Sequence, residues 1–289
     1  MIRSGRMYKI VERKDLAPRI KLVKVLAPEI SRKARPGQFV ILRVDERGER
    51  FPLTIADWDP KDGTITLVFL EVGVSTRKLG ELREGDVILD ILGPLGNPTE
   101  IKSHSVVCVV GGGVGIAAAY PIARAFKSAG NKVISIIGAR SANLLIFEEE
   151  MRAFSDELYI STDDGTKGYK GFVSDVLRVL IQKGYRFDMV YAVGPAMMMK
   201  AVADVTRPYG IKTIASLNPI MVDGMGMCGA CRVMVGGKTR FACVDGPEFD
   251  AHEVDFDELI KRQMTFFREE KDALKYWEAN KGVLGGMRT

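Results

Sequence analysis

Three of the four cysteines stand close together, at Cys228, Cys231 and Cys243, and this spacing constrains the chain more than any other feature. Cys228 and Cys231 form a Cys-x-x-Cys turn in which Gly229 supplies backbone freedom. The runs Arg232–Val235 and Lys238–Ala242 flank Gly236-Gly237 and predict a β-hairpin. With the glycine pair as a two-residue turn, Ala230 faces Cys243 and Cys231 faces Ala242. Cys243 is thereby returned to the Cys-x-x-Cys turn.

Three converging thiolates leave one position open, whether the centre is tetrahedral zinc or a thiolate-held 2Fe–2S cluster. Asp223 is the candidate fourth ligand. It sits on a run containing Gly224, Gly226 and Gly229, whose N–H groups can face negatively charged sulfides. Cys108 is the other candidate, but within Val-Val-Cys-Val-Val it reads as a buried strand residue. A structural zinc knuckle stays open as an alternative. A disulfide is disfavoured, because the start Met-Ile-Arg-Ser-Gly-Arg has no apolar leader and points to a reducing, cytoplasmic setting.

The chain has 289 residues, room for two or three modules with cores of their own. Its 42 basic and 37 acidic residues are interspersed, which is a solvated surface and not a nucleic-acid footprint. The uncharged run from Ser105 to Ala123 approaches transmembrane length, yet its glycines and Pro121 divide it into strand, turn and helix, so no membrane span is expected. His104 and His252 are the only histidines and lack a neighbouring nucleophile motif, so histidine-based hydrolysis is not expected.

From Tyr8 to about Asn97, short segments such as Phe39–Val44, Thr64–Val68 and Val87–Leu92 alternate with turns and predict an antiparallel barrel or sandwich. Within it, Arg50-Phe51-Pro52-Leu53-Thr54 offers a cation for a phosphate and a hydroxyl for a ring edge. Val72-Gly73-Val74-Ser75-Thr76 opens a helix at Ser75 or Thr76, a place where backbone N–H groups hold an anion. Gly93 to Pro98 is expected to be a tight turn leading to the next module.

Val106–Val110, the turn Gly111-Gly112-Gly113-Val114-Gly115 and a helix over Ile116–Ala129 form a dinucleotide-type phosphate turn, with Pro121 expected to kink the helix. Strands at Lys132–Ile137, Leu158–Ser161 and Met189–Val193 alternate with helical segments and predict a parallel sheet. Arg140, Asp164, Gly194 and Pro195 follow the carboxyl ends of those strands, where ligands bind in open α/β sheets. Met197 to Met199 read as core filler. Asp255–Asn280 reads as one helix with Phe256, Ile260, Met264, Phe267, Leu274 and Trp277 on a face that docks on the body or on a partner.

Taken in order, these motifs resemble the ferredoxin-reductase-like flavoproteins over nearly the whole chain. That family has an Arg-x-x-(Leu/Tyr/Ile)-(Ser/Thr) flavin motif, a Gly-x-x-(Ser/Thr) pyrophosphate segment, a Gly-Gly-x-Gly nicotinamide turn and a Gly-Pro-x-x-Met segment. Here they match Arg50–Thr54, Gly73–Thr76, Gly112–Gly115 and Gly194–Met198. The cysteine stretch narrows the resemblance to the branch with a C-terminal 2Fe–2S module. This branch holds the electron-transfer subunit of dihydroorotate dehydrogenase and the small subunit of NADH-dependent ferredoxin:NADP+ oxidoreductase, also called the sulfide dehydrogenase beta subunit. The former carries a fourth cysteine where Asp223 stands; Asp223 and Phe241–Phe249 are more similar to the latter. Ala118 departs from the proline that many relatives place after the glycine turn.

The resemblance implies an FAD-binding barrel over 1–97, an NAD(P)-binding domain over 98–215, a 2Fe–2S module over 216–250 and a terminal helix and tail over 251–289. It implies FAD held by Arg50, Pro52, Leu53, Thr54, Gly73, Ser75 and Thr76. NAD(H) or NADP(H) would lie at Gly112, Gly113, Gly115, Arg140, Asp164, Gly194 and Pro195, and a cluster on Asp223, Cys228, Cys231 and Cys243. It further implies a heterodimer with a larger flavoprotein carrying 4Fe–4S clusters, working in flavin-based electron bifurcation. The alternatives are the dihydroorotate dehydrogenase subunit and a sulfide dehydrogenase or polysulfide reductase subunit.

Overall fold

The computed structural model describes residues 8–280. A first antiparallel sheet contains β1 (Tyr8–Ala17), β2 (Ile20–Leu26), β3 (Phe39–Arg43), β4 (Phe51–Asp59), β5 (Thr64–Leu70), β6 (Val87–Ile88) and β7 (Asp90–Leu95). Its order is β6-β1-β2-β5-β4-β3-β7. Only Leu89 separates the two outer strands, β6 and β7, so the sheet must curl until its edges nearly meet. Ile10, Val25, Leu42, Ile55, Leu67 and Ile88 fill the interior and are fully buried. The helices here are α1 (Pro28–Ser31) and α2 (Val74–Glu81). The turn expected over Gly93 to Pro98 is instead partly strand: Gly93 and Pro94 lie in β7, because pairing with β3 claims the backbone as far as Leu95.

The next sheet is built from β8 (Val106–Gly112), β9 (Lys132–Ala139), β10 (Glu157–Thr162), β11 (Tyr169–Lys170), β12 (Met189–Val193) and β13 (Lys212–Ser216), all paired in parallel. Helices α3 (Gly115–Ser128), α4 (Glu148–Ala153), α5 (Val173–Gln182) and α6 (Ala196–Thr206) make the crossovers. The chain lays β9, β10 and β11 to one side of β8, then returns to place β12 and β13 on the other. This puts the reversal of strand order, the favoured ligand crevice of such sheets, at the carboxyl ends of β8 and β12. The α3 helix runs unbroken through Pro121.

The hairpin of β14 (Arg232–Val235) and β15 (Lys238–Phe241) pairs Arg232 with Phe241 and Val235 with Lys238, the register that a two-glycine turn dictates. Gly236 and Gly237 have φ of 58° and 69°, as a type I′ turn requires. The short α7 (Ala242–Asp245) leads to β16 (Glu248–Asp250), which joins the parallel sheet antiparallel to β13.

The C-terminal segment is two helices and not one, α8 (Phe256–Gln263) and α9 (Phe267–Ala279). The break corrects the single apolar stripe: Phe256 and Leu259 are buried beneath α8, while Met264, Phe266 and Phe267 at the corner are exposed. Helix α9 swings back onto α2, burying Trp277 and bringing Glu278 to 3.7 Å from Arg77.

The modules share interiors. Ile20, Ala56 and Val68 of the barrel belong to the same apolar cluster as Ile116, Ala119 and Tyr120 of α3, and Phe39 and Ile41 pack in the cluster that contains Cys231 and Cys243. At the junction, Thr99 Oγ1 donates to Glu248 Oε1 at 2.5 Å, and the Tyr191 hydroxyl faces the same carboxyl. Burial pushes the Glu248 carboxyl above its ordinary value, against the opposing pull of Thr99 and Tyr191. A carboxyl whose folded pKa is raised contributes stability below the unfolded pKa and loses it as pH rises through the folded pKa. We expect Tm to decline with rising pH across that window, and Glu248→Gln to flatten the decline. An unchanged slope in the variant would remove Glu248 from this role.

Candidate functional site

Strand β4 presents the residues of the barrel motif. Thr54 pairs with Phe39, Leu53 with Val40 and Pro52 with Ile41 across β3. Just before it, Arg50 Nη2 lies 2.7 Å from Asp90 Oδ2, a half-exposed pair that orients the guanidinium at the barrel surface. A few residues past β5, Gly73 is the extended N-cap of α2 and no atom approaches within 4 Å of where its Cβ would be. The helix therefore opens beside free space, and the N-terminus of a helix is where backbone N–H groups can meet an anion. Thr76 also takes part in the turn itself. Its hydroxyl accepts from the Val72 and Gly73 N–H groups at 3.0 and 3.1 Å, so it shapes the turn in front of Ser75.

The glycine turn after β8 meets the end of β12 at close range. A Cβ on Gly115 would lie 2.6 Å from the Val193 carbonyl oxygen, and one on Gly112 would strike Met198 Sδ at 2.3 Å. Met198 packs against both Gly112 and Gly194, whereas Met199 is core and Met197 exposed, so one of the three methionines belongs to the crevice. Gly113 has φ of 56° and open space around it. At the far side, Arg140 and Asp164 are both exposed, on loops joined by the Asp164 N–H donating to the Arg140 carbonyl at 3.1 Å. Asp164 Oδ1 accepts from the Thr166 N–H and hydroxyl at 2.9 and 2.6 Å, which fixes the loop after β10.

The cysteine loop contains two pairs of donors. Cys231 and Cys243 are buried with sulfurs 3.2 Å apart, delivered by the hairpin as its register requires. Cys228 is exposed and its thiol meets the Asp223 carboxylate. That carboxylate also accepts from the N–H groups of Met225, Met227 and Cys228, at 2.9, 3.1 and 2.7 Å, and these bonds hold it below the usual carboxylate range. Gly224, Gly226 and Gly229 all adopt positive φ, turning successive amides inward, and the Gly226 amide is directed at Cys243. Burial, and then the adjacent Cys231, push the Cys243 thiol above its ordinary value. The structure thus brings the four together as two pairs, and among the described residues no group of three or more of them stands close enough to hold one metal ion; what matches an iron–sulfur centre is the donor set itself, three thiols and a carboxylate. Cys108 stands apart, fully buried in β8 between Ile134 and Val190, and serves as core.

The loop rests on the barrel. A Cβ on Gly224 would lie 2.7 Å from Ile41 Cγ1 and Leu95 Cδ1. Ile41 pairs with Pro52, so the loop's seat lies on the strand next to the motif strand, one inter-strand spacing of about 5 Å away.

An antiparallel barrel, a parallel nucleotide-type sheet and a cysteine loop seated between them define a ferredoxin-reductase-like flavoprotein carrying an iron–sulfur module. Residues 109–204 match the family described as oxidoreductase NAD-binding domain, and residues 218–255 match the iron–sulfur cluster binding domain of dihydroorotate dehydrogenase B. A dihydroorotate dehydrogenase B (NAD(+)) electron transfer subunit homolog of Thermotoga maritima is 51% identical over 245 residues, 85% of this chain and 86% of that protein. An uncharacterized protein from the adh 3' region of Clostridium beijerinckii is 46% identical over 97% of this chain and 98% of its own. A chain of the solved NADH-dependent reduced ferredoxin–NADP oxidoreductase superposes with a TM-score of 0.89 and 46% identity, covering 96% of this chain and 99% of that one. Phthalate dioxygenase reductase, 17% identical with a TM-score of 0.56, shares the fold.

The chain belongs to the iron–sulfur-bearing electron-transfer subunits of the ferredoxin-reductase-like family, an oxidoreductase group whose cofactors are FAD, a 2Fe–2S cluster and a nicotinamide nucleotide. Among the described residues, no helix is long and apolar enough to cross a membrane. His252 bonds Thr206 Oγ1 at 3.0 Å through Nε2 and ties the turn after β16 to α6, a structural role that its isolation in the sequence did not reveal.

Proposed function

We propose that this chain takes electrons from NADH on its parallel-sheet domain, through FAD on the barrel, to a 2Fe–2S cluster on the cysteine loop, and delivers them to a larger flavoprotein subunit. The observation that carries the reading is the seat of the Asp223–Cys228 loop on Ile41 and Leu95, one strand from the Arg50–Thr54 motif. A bound flavin accepts a hydride and releases its two electrons singly, and a cluster passes them on. The chain's own task is placement, since hydride transfer needs stacking and distance more than an acid or base.

Arg50, Pro52, Leu53 and Thr54 would hold the flavin, with Gly73, Ser75 and the Thr76-shaped turn at its pyrophosphate. Gly112, Gly113, Gly115, Gly194 and Pro195 would receive the nucleotide, with Arg140 and Asp164 toward its adenosine end. Asp223, Cys228, Cys231 and Cys243 would ligate the cluster, once the carboxylate turns from part of its amide cage. Val222, Met225, Met227 and Val244 are exposed around this loop, Met227 by 82%, an apolar rim of the kind that partner surfaces cover. Bifurcation with a 4Fe–4S flavoprotein is the reading that the similarity to the ferredoxin–NADP oxidoreductase chain supports. The electron-transfer role in dihydroorotate oxidation is favoured by the Thermotoga maritima relative. Asp223, where that class carries cysteine, supports the first.

Protein purified with its partner from its native source decides both points. NADH added without oxygen should bleach the flavin bands and raise the low-temperature EPR signal of a reduced 2Fe–2S cluster. Zinc in place of iron, or a colourless protein, would overturn the proposal, and the co-purifying chain selects between the two roles.

A further inference from the structure

Strand β4 holds Phe51–Thr54 of the proposed flavin motif in its first half and Asp57 in its second, and helix α3 starts at the glycine turn and carries Arg124 near its far end. These two side chains meet across the module boundary, Arg124 Nη2 lying 2.7 Å from Asp57 Oδ1. The guanidinium is held between two rings, 5.3 Å from the Trp58 centroid and 5.1 Å from that of Tyr120. Its Nη1 donates to the Tyr120 hydroxyl at 3.3 Å, and Tyr120 is braced edge-on by Phe147 and Phe154. A register shift between Ile55 and Asp57 against β5 marks a bulge, the device that re-aims a strand side chain. Ala56, beside Asp57, is buried in the apolar cluster that includes Ile116 and Ala119.

Building on the proposed nicotinamide-to-flavin path, we infer that Arg124 is a positioning residue that sets the angle of the nucleotide domain on the flavin barrel. Arg124 stands nine residues beyond Gly115 on one helix, a lever of about 13 Å at 1.5 Å per residue. A rotation of about 5° about the brace then moves the glycine turn by about 1 Å, and a misplacement of that size costs about a hundredfold in a reaction that depends on alignment. The brace combines charge, planarity and stacking, which lysine reproduces only in part. The hydride itself, two electrons with one proton, would pass from NADH, leaving NAD+, to the flavin, and Arg124 is assigned no contact with either.

The test uses the whole protein loaded with FAD and iron, carrying Arg124→Met, which keeps the aliphatic stem, and separately Asp57→Asn, which leaves the guanidinium between its rings. We expect both to retain flavin, iron and an NADH Kd within about threefold of the parent. The rate of flavin reduction in rapid mixing should fall by tenfold or more, with a weakened nicotinamide–flavin charge-transfer band. The double variant should be no slower than Arg124→Met, and Arg124→Lys should recover part of the rate. A parental rate in both single variants overturns the inference, as does a loss of rate explained wholly by weaker NADH binding. Failure of NADH to reduce the parent protein overturns the functional proposal and this inference together.

Discussion

Asp223→Ala is expected to lose most of the iron and the visible bands of the cluster while flavin content is kept. The carboxylate has two roles in one place. It gathers the amides of Met225, Met227 and Cys228, and it meets the Cys228 thiol. Hydrogen bonds to a charged acceptor contribute more than neutral ones, but this group is solvent-facing, so the three together are discounted to about 1–2 kcal/mol. That loss alone would loosen the loop, and removal of the fourth donor adds to it. Asp223→Asn separates the roles, since an amide oxygen can still cap the turn without the charge. Asp223→Cys should retain a cluster with an altered spectrum and potential, because a thiolate replaces a carboxylate in the donor set. Iron quantitation and EPR across the series read the outcome, and an alanine variant with parental spectrum would take Asp223 out of the ligand set.

Gly115→Ala is expected to lower nicotinamide-nucleotide affinity tenfold or more and to destabilise the fold by about 2 kcal/mol, within the range for overpacking. The atoms in the way are backbone: the added carbon would sit 2.6 Å from the Val193 oxygen, 2.8 Å from the Gly194 Cα and 2.9 Å from the Val193 carbonyl carbon. No rotamer change relieves that contact. The start of α3 must lift away from β12, widening the crevice where the two glycine segments meet. Gly130→Ala is the control, since its φ of 82° imposes backbone strain but its surroundings are open. It should cost about 1 kcal/mol and leave nucleotide affinity unchanged. Calorimetric titration with NADH and thermal melts check both, and equal affinities in the two variants would sink the argument.

Arg50 is held by Asp90 and Thr76 by its own turn, so both motifs take their local shape from contacts within the chain. The cysteine loop is similar in kind: Cys231 and Cys243 are already adjacent, while Asp223 is held by amides of its own loop and, on the proposed ligation, would give some of them up. Preorganisation is thus greatest where the hairpin enforces it and least on the glycine-rich run.

The sequence by itself determined whatever depends on near neighbours. A glycine pair with positive φ admits one hairpin register, so the return of Cys243 to Cys231 was legible from spacing. Alternation and apolar runs placed the barrel strands and the parallel sheet, and the turn after β8 followed from glycine between strand and helix. The tertiary structure alone decided what joins distant residues. Asp57 with Arg124, and Thr99 with Glu248 across 149 residues, are pairs that no local pattern encodes. The break between α8 and α9, the antiparallel entry of β16 and the strand character of Gly93-Pro94 belong to the same class. Each is settled by which surface lies opposite, because desolvation and ladder pairing are satisfied only once the modules meet, and those partners lie far away along the chain.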